Sequence, residues 1–152
     1  MSRVANTPKS DVYWDHKGLE RQERWRHLNA SGATLWFTGL PASGKSTLAS
    51  GVERALVTQG ISAYRLDGDN LRHGLSADLS FSPEDRAENV RRAGEVATLF
   101  ADAGLVAVAA FVSPYRSDRD AVRATHVRMK IPFIEIHVAT SLTVCELSLI
   151  HI

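Results

Sequence analysis

Residues 39–46 read Gly39-Leu40-Pro41-Ala42-Ser43-Gly44-Lys45-Ser46, with Thr47 next, and match the spacing G-x-x-x-x-G-K-S/T. Glycines in such a loop let successive backbone N–H groups turn inward as a nest for phosphate oxygens. A helix opening near Lys45 would add the positive end of its dipole. Lys45 would then reach the β- and γ-phosphates, and the Ser46 hydroxyl is of the kind that ligates Mg2+. The segment is read as a nucleoside triphosphate site.

Further groups able to do chemistry follow. Asp67 and Asp69 bracket Gly68, with Asn70, Leu71 and Arg72 after them. Two carboxylates beside a phosphate loop are suited to holding Mg2+ through water or to accepting a proton from an attacking hydroxyl. A solvated turn is the plainer account of the same residues. Arg72 beside the acids points to an anionic ligand. Arg86 and Asn89 share a helix face at i, i+3, whereas Arg91 and Arg92 read as part of a charged surface paired with Glu84, Asp85, Glu88 and Glu95. From its type alone Phe81 fits stacking on a base or packing in the core. Ser113 either lines an acceptor pocket, receives phosphate, or simply begins a turn with Pro114.

These groups need a frame, and the sequence lays one out. Thr34–Thr38 is β-rich and runs into the loop. Leu48, Ala49, Val52, Ala55 and Leu56 recur at helical spacing before Gly60. Ile61–Leu66 is a second strand that ends at the aspartates. Ser82-Pro83-Glu84-Asp85 caps and opens a helix carrying Val90, Ala93, Ala97 and Phe100 to Gly104. Leu105–Val112 is continuously apolar, as befits a strand covered on both faces. Ser117–Met129 is a further helix, with Ser117 and Asp120 as a capping-box variant. Ile131–Val138 is a fourth strand. Strands alternating with helices imply βαβ units and a parallel sheet, the α/β three-layer sandwich of P-loop nucleotide-binding proteins. Ligands in such open sheets bind outside the carboxyl ends of the strands, where all of these candidates fall.

Ahead of the sheet, residues 1–33 form a polar lead-in anchored by Tyr13, Trp14, Trp25 and Leu28, with a short helix over Gly18–Leu28. It is expected to be an arm packed on the domain surface or on a partner subunit. The chain of 152 residues has room for one domain. Its 18 Lys+Arg against 17 Asp+Glu argue against a dedicated nucleic-acid binder, whose footprint is a strong basic excess. The single cysteine, Cys145, cannot close an internal disulfide and points to a reducing, cytoplasmic setting. The first residues lack the apolar core of a secretory signal, and no apolar run is long enough to cross a membrane. His73, His126 and His137 have no metal-ligand spacing, so no transition-metal site is expected.

Taken together, GLPASGKST (39–47), DGDNLRHGL (67–75), FSPEDRAENVRR (81–92), SPYRSDR (113–119), FIEIHV (133–138) and VCE (144–146) resemble the adenylylsulfate kinase family. The arm with Trp14, His16, Arg21 and Arg24 and the strand TLWFTGL (34–40) resemble it as well, so that the similarity spans roughly residues 12–146. The resemblance implies phosphorylation of the ribose 3′-hydroxyl of adenosine 5′-phosphosulfate, with ATP as donor and Mg2+ as cofactor. It implies that residues 39–47 bind ATP and that Lys45, Asp67, Asp69 and Ser113 form the catalytic group. Ser46 and Asp69 would serve the metal, and Arg72, Phe81, Arg86 and Asn89 would hold the adenylylsulfate. Ser113 falls at the family's serine described as a phosphorylated intermediate, although in-line transfer from ATP needs no covalent serine. The full-length form is expected to be a homodimer.

Departures from the family accompany the match. Ala139 stands where an aspartate is usual. After Glu146 the family continues with an Arg-Asp pair, a Lys-Gly-Leu-Tyr lid stretch and a fifth strand, whereas here Leu147-Ser148-Leu149-Ile150-His151-Ile152 follows. This organisation is read as an arm (1–33), an incomplete kinase domain (34–146) with four strands and the last one missing, and a non-native tail (147–152). Loss of the lid would weaken closure over the nucleotide. The alternatives are a P-loop kinase of another small acceptor such as a sugar acid or nucleoside monophosphate, a domain cut from a bifunctional sulfurylase–kinase, or a non-catalytic nucleotide-binding fragment.

Overall fold

The computed structural model describes residues 12–15 and 17–150; His16, named above with the arm, lies outside them. Four strands, β1 (Ala33–Thr38), β2 (Ala63–Asp67), β3 (Val106–Ala110) and β4 (Phe133–His137), form one parallel sheet in the order β2-β3-β1-β4. Among the described residues six helices accompany it: α1 (Arg21–Leu28), α2 (Lys45–Thr58), α3 (Gly68–Leu71), α4 (Pro83–Asp102), α5 (Arg116–Arg128) and α6 (Leu142–Ile150).

Helices cover both faces of the sheet, so β3, Val-Ala-Val-Ala-Ala, is buried at every position. Phe37, Val106, Val108 and Ala110 pack against Ala49, Val52 and Leu56 of α2. Trp36, Leu66, Ala107 and Ala109 pack on the other side against Val90, Ala93 and Ala97 of α4 and Val122 of α5. Alternation along each strand splits the core in this way, because successive side chains point to opposite faces. The expected start of α4 is present: Ser82 Oγ accepts from the Asp85 N–H at 3.2 Å and Pro83 occupies the first turn.

Several sequence expectations are corrected. The helix over 116–128 begins at Arg116 with Tyr115 as its cap, and no side chain caps it, so Ser117 and Asp120 form no capping box. β2, β3 and β4 are shorter than the runs that suggested them, with Ile61, Leu105, Val112, Ile131 and Val138 outside, whereas β1 begins one residue earlier, at Ala33. In the arm, α1 starts at Arg21, and Tyr13, Trp14 and Leu28 are exposed instead of anchoring. Trp25 does dock, donating its indole N–H to the Asp102 carbonyl at 3.0 Å, while Arg21 pairs with the Asp102 carboxylate at 2.9 Å and donates to the Met129 carbonyl at 2.6 Å. The arm is therefore pinned to the ends of α4 and α5 by polar contacts. The sequence reading missed α3 and α6 altogether, and α6 runs without a break across positions 146–147.

Candidate active site

Register sets the site. Phe37 of β1 and Asp67 of β2 both pair with Ala110 of β3, so the three strands end level and their following loops share one edge of the sheet. A cavity of about 440 Å3 opens there, walled by the phosphate loop, the Asp67–Asp69 turn, the face of α4 bearing Arg86 and Asn89, and residues 110–114. A larger groove of about 660 Å3 lies between α4 and α5, but no residue of the phosphate loop or of the Asp67–Asp69 turn lines it, and its one arginine, Arg91, is paired with Glu88 at 2.8 Å. The smaller cavity is where the candidate groups converge.

Two glycines make the loop possible. Gly39 approaches the β4 end so closely that a Cβ would lie 2.8 Å from the Val138 carbonyl oxygen. Gly44, at φ 96, caps α2 in a left-handed conformation that side chains disfavour. Ala42, at φ 60, takes a left-handed conformation without that freedom, at a cost of about 1–2 kcal/mol. The Lys45 ammonium lies across the loop, donating to the Leu40 carbonyl at 2.6 Å. Burial pushes its pKa below the ordinary lysine value, while Cys145, Asp67 and Asp69 act in the opposite sense. The loop is braced from the segment between β4 and α6: Thr140 donates its hydroxyl to the Ser43 carbonyl at 2.7 Å. Thr140 carries no motif, so its role was not readable beforehand.

Opposite the loop, the Asp67 carboxylate collects donors. Ser46 donates its hydroxyl to Oδ2 at 2.7 Å, Arg65 donates to the same oxygen at 2.9 Å, and the Asp69 N–H donates to Oδ1 at 3.0 Å. The last bond caps α3. It is thus Asp67, not Asp69, that touches the Ser46 hydroxyl, while the exposed Asp69 carboxylate lines the cavity. The donor set is all oxygen, and among the described residues no cluster of three or more His, Cys, Asp or Glu side chains stands ready as a metal cage. That suits Mg2+, which is commonly held by one or two carboxylates together with substrate phosphates.

The wall facing the phosphate loop includes Phe81, which is 65% exposed and therefore not a core residue. The Arg72 guanidinium lies 4.3 Å and that of Arg86 5.5 Å from its ring centre. Both arginines are also tied to backbone: Arg72 donates to the Ser80 carbonyl at 3.0 Å and Arg86 to the Phe81 carbonyl at 2.9 Å. Asn89 is buried, lines the cavity, and has an Oδ1 with no hydrogen-bond partner. Such an orphaned acceptor calls for a donor from a ligand. Arg91 and Arg92, in contrast, pair with Glu88 at 2.8 and 2.9 Å, and Arg92 with Asp78 at 2.6 Å. They belong to the charged surface, and their hydrogen bonds hold the Glu88 carboxyl at about 2 against the opposing effect of burial.

Ser113 reaches the cavity wall, but its hydroxyl turns inward. It receives the Trp36 indole N–H at 3.2 Å and donates to Thr38 Oγ1 at 2.9 Å. Its carbonyl accepts from Arg119 at 2.7 Å. Leu149 of α6 also lines the cavity, a contact that no motif announced.

Comparison with known proteins agrees with this geometry. The family model for adenylylsulphate kinase matches residues 31–148. Adenylyl-sulfate kinase 3 of Arabidopsis thaliana is 50% identical over 146 residues, covering 96% of this chain and 68% of that protein. Adenylyl-sulfate kinase of Shewanella amazonensis is 54% identical over 135 residues, covering 89% and 67%. Among solved structures, Mycobacterium tuberculosis APS kinase CysC in complex with AMPPNP and APS aligns with a TM-score of 0.75 and 53% identity. That alignment covers 77% of this chain and 68% of the solved one. The chain thus spans about two thirds of the length of these relatives.

Proposed function

The chain belongs to the adenylylsulphate kinase family, and from that premise we propose that it transfers the γ-phosphoryl group of ATP to the ribose 3′-hydroxyl of adenosine 5′-phosphosulfate. The products are 3′-phosphoadenosine 5′-phosphosulfate and ADP. The observation that carries this reading is the convergence of two unlike subsites on one cavity: a phosphate loop with Lys45 on one wall, and an exposed Phe81 with Arg72 and Arg86 beside its ring on the other.

Residues 39–47 bind the donor, with backbone N–H groups and Lys45 on its phosphates. Ser46 and Asp67 would hold Mg2+, which would neutralise phosphate charge, with the Asp69 carboxylate nearby in the same cavity. The Phe81 ring stacks on the acceptor's adenine, while Arg72 and Arg86 supply positive charge for its phosphosulfate. Asn89 fixes the acceptor by accepting a hydrogen bond at Oδ1. Asp69, exposed to the cavity and not bound to Ser46, is placed to take the proton of the attacking hydroxyl. Phosphoryl transfer of this type relies on positioning and electrostatics more than on covalent help from the protein.

A cytoplasmic setting accords with a lone, buried thiol, and a homodimer is the assembly proposed for the full-length form. The activity is tested by incubating the 152-residue chain with ATP, Mg2+ and adenosine 5′-phosphosulfate, and following ADP release with gluconate and AMP as competing acceptors. Release that depends on the phosphosulfate and is lost in Lys45→Ala supports the proposal. ATP binding with no turnover on any acceptor identifies a nucleotide-binding fragment instead, a reading favoured by Leu149 lining the acceptor cavity.

A further inference from the structure

We infer that Arg65 is a positioning residue that withholds Asp67 from free divalent cations, so that the metal enters the site only together with a nucleotide's phosphates. The inference rests on the reading of Ser46 and Asp67 as the metal side of the kinase site, and it adds a residue to which neither a motif nor the family comparison assigned a role.

Arg65 precedes Asp67 by two positions on β2, so both side chains leave the same face of the strand. Its guanidinium lies 2.9 Å from Asp67 Oδ2, the same oxygen that accepts the Ser46 hydroxyl at 2.7 Å. The other flank of Arg65 is fixed to α2: its backbone N–H donates to Glu53 at 2.9 Å, and its Nε lies 4.0 Å from the same carboxylate. The pair is largely shielded, with side-chain exposures of 27% for Arg65 and 9% for Asp67. A cation approaching Asp67 Oδ2, the oxygen beside Ser46, without a nucleotide must therefore displace a hydrogen-bonded guanidinium as well as shed its own water.

Local charge points the same way. The Asp67 carboxylate carries one adjacent guanidinium, that of Arg65, with Glu53 on the guanidinium's far flank and Lys45 across the phosphate loop. A divalent cation is repelled by these two positive groups, and triphosphate adds the negative charge that offsets them. Removing the charge of Arg65 while keeping the fold should raise the affinity of Asp67 for a cation on its own.

The test is Mn2+ binding to the 152-residue chain without nucleotide, followed by electron paramagnetic resonance. Arg65→Gln and Arg65→Leu remove the charge, and Arg65→Lys keeps it; thermal unfolding reports that each variant is folded. The expected result is a gain in Mn2+ affinity of at least about tenfold in the Gln and Leu variants, with Lys close to the parent. Equal affinity in parent, Gln and Leu overturns the inference. A gain of the same size in Lys overturns it as well, since charge would then not be the cause. A fluorescent ATP analogue titrated against parent and Lys45→Ala in parallel reports on the nucleotide site separately, so failure there is not confused with failure of the Arg65 role.

Discussion

Trp36 donates its indole N–H to the Ser113 hydroxyl across 3.2 Å, and neither residue is open to water: Trp36 is 0% and Ser113 3% exposed. The contact joins the middle of β1 to the loop after β3. It continues as a chain in which Ser113 donates to Thr38 Oγ1 at 2.9 Å and Thr38 donates to the Val112 carbonyl at 2.9 Å. The proton of Ser113 is committed within the core, and its backbone sits at a left-handed φ of 35. These bonds shape the wall between the two subsites.

Ser113 is accordingly predicted to shape the wall and not to carry phosphate. Ser113→Ala should retain phosphosulfate-dependent turnover within about tenfold and lose about 1–3 kcal/mol of stability, because the indole N–H is left without a partner. Intact-protein mass spectrometry after incubation with ATP should show no added phosphate. A phosphorylated Ser113 that forms and decays at the rate of turnover would overturn this.

Lys45→Met should weaken ATP binding by about a hundredfold, the loss of a charge-assisted contact of about 3 kcal/mol, with little change in the unfolding midpoint. The sign of the pH effect follows from burial, which lowers the lysine pKa. The ammonium form needed for phosphate binding is lost at a lower pH than for an exposed lysine. Calorimetric ATP affinity should therefore begin to fall on the alkaline side before pH reaches the ordinary lysine value of 10.5.

Phe81→Ala separates the two subsites. Stacking on a base contributes about 1–3 kcal/mol, so KM for the phosphosulfate should rise by about tenfold or more while KM for ATP stays put. Phe81→Trp should restore most of the loss. An equal rise in both constants would place Phe81 outside the acceptor site.

His126 predicts acid sensitivity. Its ring is 0% exposed, donates from Nδ1 to the Val122 carbonyl at 2.8 Å and shares a hydrogen bond with the Thr34 hydroxyl at Nε2 at 2.8 Å, and burial favours its neutral form. Burial lowers its pKa from 6.5, so between that value and the lower folded one the unfolded chain binds the extra proton. Stability is then lost as pH falls below 6.5. His126→Gln should cost about 1 kcal/mol at neutral pH and flatten the thermal midpoint just below pH 6.5, ahead of the carboxylate Glu88, which titrates near 2.

The loop at 39–46 and the cap at Ser82-Pro83 were legible in the linear text because each is local. A nest needs glycines at fixed offsets, and a helix start needs a hydroxyl just ahead of a proline. The buried strand β3 declared itself by an unbroken apolar run, and the strand ends then had to gather the candidate residues. Chain order could not say which way Ser113 points, since its partners Trp36 and Thr38 lie 77 and 75 residues away. Nor could it show that Phe81 stands exposed beside two guanidinium groups, that Thr140 braces the phosphate loop, or that Arg65 shares an oxygen with Ser46. Periodicity and turn chemistry act over a few residues and leave their mark in the sequence. The direction of a side chain inside the site is decided by neighbours that only sheet pairing brings within hydrogen-bond reach.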